Sequence, residues 1–191
     1  VLNTYRKHDG SLHDTFISRA TIKSDDPFIA QQGRTLAWSE FAQDYQKLAR
    51  VFELKGVRHG MRIAIMGRND AAHVMTLFAL AYLGAIMVPV NPDFGERETS
   101  YVFRHADISG VIADTVATPI VEAALKTVES TAWILKIDAP ASAPDSLFGM
   151  IAASCATQQP PQGRAGECFD ARTGPRPARR THGGSRSSRP G

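Results

Sequence analysis

Between Ser39 and Gly56, the apolar residues Phe41, Tyr45, Leu48 and Phe52 recur at four- and three-residue steps, with Ala42 and Ala49 beside them. A single stripe of this kind predicts a helix resting one face on a core. Ser39 offers an N-cap oxygen at its start. Lys55 suits the negative end, and Gly56 suits the left-handed residue that terminates a helix. Upstream, Leu12 to Ile22 carries Leu12, Phe16, Ile17 and Ala20 on one side and predicts a short amphipathic helix. Phe28–Gln31 and Thr35–Ala37 flank Gln32-Gly33, the pattern of a hairpin with a glycine turn.

From Arg62 the periodicity changes. Arg62–Met66 reads as a short strand, and from about Asp70 to Leu83 follows a helix that is apolar on nearly every side. Asn69 is expected to cap it. Gly84 ends it, and Ala85–Val90 is a continuous apolar run, read as a buried strand. Gly60 and Gly84 suit tight turns, and Pro89 stands near a strand end where a missing amide hydrogen matters least. Asn91 and Pro92 shape the turn into a helix over Glu96–His105. Gly110–Ala113 is a strand, Ala117–Val128 a helix and Ala132–Ile137 a further strand. The order βαβαβαβ with right-handed crossovers predicts an α/β fold: an open, mainly parallel layer with helices on both faces. Pro140 and Pro144-Asp145 are loop-like, and Leu147–Ala153 reads as a short helix.

Composition changes the picture mainly at the C-terminal end. The formal net charge of +3 arises there: no acidic residue follows Asp170, while six arginines fall between Arg172 and Arg189. Gln158–Gly191 has Phe169 as its one large apolar side chain, too little to offset the entropy of ordering. The expected organisation is therefore a domain over 1–157 and a disordered Arg/Gly/Pro/Ser-rich tail over 158–191. Cys155 and Cys168 lie thirteen residues apart without a histidine pattern, which makes neither a zinc site nor a disulfide framework. That usage fits a reduced, cytoplasmic chain. Val1–Gly10 is polar, unlike a secretion signal. Val74–Val90 runs seventeen residues without a charge, but Gly84 and Pro89 interrupt it, and a membrane span needs about 20 apolar residues. A dinucleotide oxidoreductase is excluded because Met66-Gly-Arg-Asn-Asp70 holds one glycine where the fingerprint needs three.

Taken in order, several segments resemble the adenylate-forming (AMP-binding) acyl-CoA synthetase superfamily. They are Arg34-Thr-Leu-Ala-Trp-Ser-Glu-Phe41, Gly56-Val-Arg-His-Gly-Met-Arg-Ile-Ala-Ile-Met66, Asn69, Leu80 through Pro92, Tyr101-Val-Phe-Arg-His-Ala-Asp107 and Gly110-Val-Ile-Ala-Asp114. Met61 stands where the family usually has an acidic residue. The resemblance covers about Leu12 to Ile137. It implies the N-terminal part of an enzyme that activates a carboxylic acid with Mg-ATP and passes the acyl group to coenzyme A.

That chemistry needs a Ser/Thr/Gly-rich phosphate loop followed by lysine, an adenine-binding aromatic motif, a ribose-binding acid and a C-terminal lysine. None stands in this reading frame, so no catalytic, cofactor-binding or metal-binding residue is assigned, and no cofactor is expected for this chain alone. His73, alone at a helix start, receives no role. Ala171–Arg180 stands where the family's loop belongs. Read one phase away, its codons permit Thr, then Tyr/His/Asn/Asp, then Gly-Thr-Thr-Ser, a small or basic residue, Pro and Lys, so the tail is expected to be frameshifted. Two other function classes are a non-catalytic binding module retaining the fold, and weak phosphate binding by the arginines. The latter would carry no sequence reading of nucleic acid.

Overall fold

The computed structural model describes residues 11–31 and 33–154. Twelve elements follow one another: α1 (Leu12–Ile22), β1 (Pro27–Gln31), β2 (Arg34–Ala37), α2 (Trp38–Leu54), β3 (Arg62–Met66), α3 (Ala71–Leu83), β4 (Ile86–Val90), α4 (Glu96–Ala106), β5 (Gly110–Ala113), α5 (Thr118–Thr127), β6 (Trp133–Lys136) and α6 (Leu147–Ser154). β1 and β2 form an antiparallel hairpin of their own, and the other strands form a parallel sheet in the order β4-β3-β5-β6. The expected α/β layer is therefore present. The tail over 158–191 lies outside the described residues.

Alternation along the strands divides the interior into two cores, because successive side chains point to opposite faces. Ile63 and Ile65 of β3 and Ile112 of β5 join Phe41, Tyr45, Leu48 and Phe52 of α2 and Phe78 and Leu80 of α3. The intervening Ala64, Met66, Val111 and Ala113 face Phe103 of α4 and Val121, Ala124 and Leu125 of α5. The first core extends under α1 and the hairpin through an aromatic cluster in which the Phe16 ring lies 5.0 Å from Phe28 and 4.7 Å from Phe78.

Three local expectations need correction. Ser39 does not cap α2. The helix starts earlier, at Trp38, and the Glu40 carboxylate accepts the Ala37 amide at 2.9 Å. Asn69 does not cap α3 but is exposed. Asp70 takes that place, its Oδ1 accepting from the Ala72 amide at 2.8 Å. Finally, β4 is not a buried strand but the edge of the sheet, and Ile86 keeps 46% of its surface exposed.

The glycine stops are as expected: Gly56, Gly60 and Gly84 hold φ of 85°, 80° and 68°, a region that favours glycine. The Gly60 amide donates to the Gly84 carbonyl, joining the turns before β3 and β4. After β4, Asn91 Oδ1 accepts the Asp93 amide at 3.0 Å, forming the predicted turn.

Candidate functional site at the carboxyl ends of the strands

The chain leaves β3 through α3 toward β4 on one side, and leaves β5 through α5 toward β6 on the other. The two connections also lie on opposite faces of the sheet. Oppositely directed crossovers open a crevice beyond the carboxyl ends of the two strands, the usual ligand position in open α/β sheets. Here the crevice lies between the loop from Gly67 to Asp70 and the loop from Asp114 to Ala117.

Asp114 ties these loops together. Its Oδ2 accepts the Arg68 amide at 3.0 Å, and its Oδ1 accepts the Ala117 amide at 2.7 Å, at the start of α5. Gly67 lets the loops come this close, since a Cβ there would stand 3.0 Å from Asp114 Oδ2. At the start of α3, Asp70 uses one oxygen for Ala72 and the other for Gln31, whose Nε2 donates to Asp70 Oδ2 at 2.6 Å. The Gln31 Oε1 accepts the Ala71 amide, also at 2.6 Å.

Free amides at a helix start hold phosphate. At both helix starts facing this crevice, amides are already bound, and a phosphate would meet the carboxylates of Asp70 and Asp114. These residues therefore do not fit a nucleotide's phosphates. Among the described residues, no cluster of three or more His, Cys, Asp or Glu is placed to hold a metal ion.

His73 stands in the first turn of α3, its Nδ1 buried and without a hydrogen-bond partner among the described residues. Burial lowers its pKa below the ordinary 6.5, against the opposing pull of Asp70, Asp114 and the Gly67 main chain. This describes a neutral ring in the wall of the crevice. A cleft of about 410 Å³ adjoins the α3 start, with Ile29 and Leu36 of the hairpin on one side and Met75 and Phe148 among its other walls. Asp44 also lines it and pairs with Lys47 at 3.0 Å.

Of the residues singled out in the sequence, His73 reaches the crevice wall, while Asn69 points to solvent. Asp114 and Gln31 were missed. Asp114 carries a readable signal, an acidic residue directly after a buried strand and before a helix. Gln31 carries none, since its partners stand 39 and 40 residues away.

The architecture defines a doubly wound α/β domain whose crevice lies at a topological switch point. Residues 16–167 match the AMP-binding enzyme family. The chain belongs to that family. It is 31% identical over 106 residues to a feruloyl-CoA synthase from Amycolatopsis sp, an alignment covering 53% of this chain and 22% of that enzyme. It is 33% identical over 95 residues to a long-chain-fatty-acid–CoA ligase from Thermus thermophilus, covering 47% of this chain and 18% of the other. The fold superimposes on a crystal structure described as a long-chain-fatty-acid CoA ligase from Rhodopseudomonas palustris with a TM-score of 0.68 and 26% identity, over 75% of this chain and 36% of that one. The chain thus spans about a fifth of the curated relatives it matches. Among the described residues, no helix is long and apolar enough to cross a membrane.

Proposed function

We propose that this chain is the N-terminal part of an ATP-dependent carboxylate–CoA ligase and that it is inactive on its own. The observation that carries the reading is the family match over residues 16–167. The two similar enzymes are named for different acids, feruloyl and long-chain fatty. Their shared chemistry is attack of a carboxylate on ATP, release of pyrophosphate and transfer of the acyl group to a thiol. The reading assigns that chemistry to the parent enzyme and leaves the acid open.

The motifs absent from this reading frame support the reading of inactivity, and the crevice is consistent with it. Such a reaction depends on donors aimed at the phosphates where charge develops. Here the donors at the starts of α3 and α5 are engaged by Asp70, Asp114 and Gln31. The contribution of these residues to a ligase is scaffolding: they lock two loops and two helix starts into one rigid edge.

The reading is tested by acid-dependent exchange of labelled pyrophosphate into ATP, using the purified chain with aromatic and long-chain fatty acids. No exchange above an acid-free control is expected. Exchange that depends on one of the acids would overturn the claim of inactivity.

A further inference from the structure

We draw no further inference here: the strongest candidate, the outward face of α4, where the Tyr101 and His105 rings stack at 5.8 Å beside exposed Arg97 and Arg104, carries nothing because Glu96 and Glu98 on the same helix balance the two arginines and nothing in the structure shows what covers it.

Discussion

Asn69 and Asp70 are neighbours with similar capping chemistry, yet only the second accepts an α3 amide. The difference comes from where the helix begins. With Ala71 as its first residue, the preceding position is the one whose extended backbone (φ −144°, ψ 155°) turns a side-chain oxygen onto the Ala72 amide. Asp70 also carries a charge, which favours the positive end of the helix. Asp70→Ala is expected to cost about 1–2 kcal/mol, combining a lost cap with a broken contact to Gln31. Asn69→Ala, at an exposed position, is expected to fall within about 0.5 kcal/mol of wild type. Urea unfolding of the two variants decides this, and equal losses would return the cap to Asn69.

At the scale of elements, Pro89 shows how a strand ends a sheet. The Ile86 amide donates to Met61 O on the β3 side at 2.8 Å. In a parallel ladder alternate residues face the same neighbour, so Val88 and Val90 also turn toward β3 while Met87 and Pro89 face outward. Pro89 thus removes a donor from the open edge, one of the ways edges are kept from pairing. Pro89→Val supplies that donor beside exposed Ile86. It is expected to increase self-association in light scattering at rising protein concentration, and unchanged monomer content would count against this account. The strand itself was legible as an apolar run, but its edge position was not. A run of six apolar residues reads the same at the centre of a sheet and at its margin, because the order β4-β3-β5-β6 depends on crossover directions. The helices were legible for the opposite reason: the stripe of Phe41, Tyr45, Leu48 and Phe52 is local and repeats. The crevice was half legible. Its loops follow from strand–helix boundaries, while the Gln31–Asp70 contact joins residues that no local pattern connects.

For the whole molecule, the question is how a domain of this family meets an arginine-rich stretch with no acidic residue after Asp170. The family match runs to residue 167, and the codons permitting a Gly-Thr-Thr-Ser loop in the neighbouring phase begin at Ala171. The likeness therefore gives out within a few residues of the point where the shifted frame begins to resemble a phosphate loop. We propose a single change of phase between these positions, which would account together for the end of the match, the absence of acidic residues after Asp170 and the missing loop. The expected outcome is that the underlying DNA, read one phase away across codons 171 to 180, encodes Gly-Thr-Thr-Ser, one small or basic residue and then Pro-Lys, and continues as ligase sequence. Restoring that phase is then expected to produce a longer protein that exchanges pyrophosphate into ATP in the presence of a carboxylic acid. A stop or an unrelated peptide in that phase would remove the frameshift while leaving the family and the fold untouched. An intact frame-restored protein with no exchange for any acid would instead count against the ligase reading. The two results separate because the first concerns only the tail and the second the chemistry of the parent.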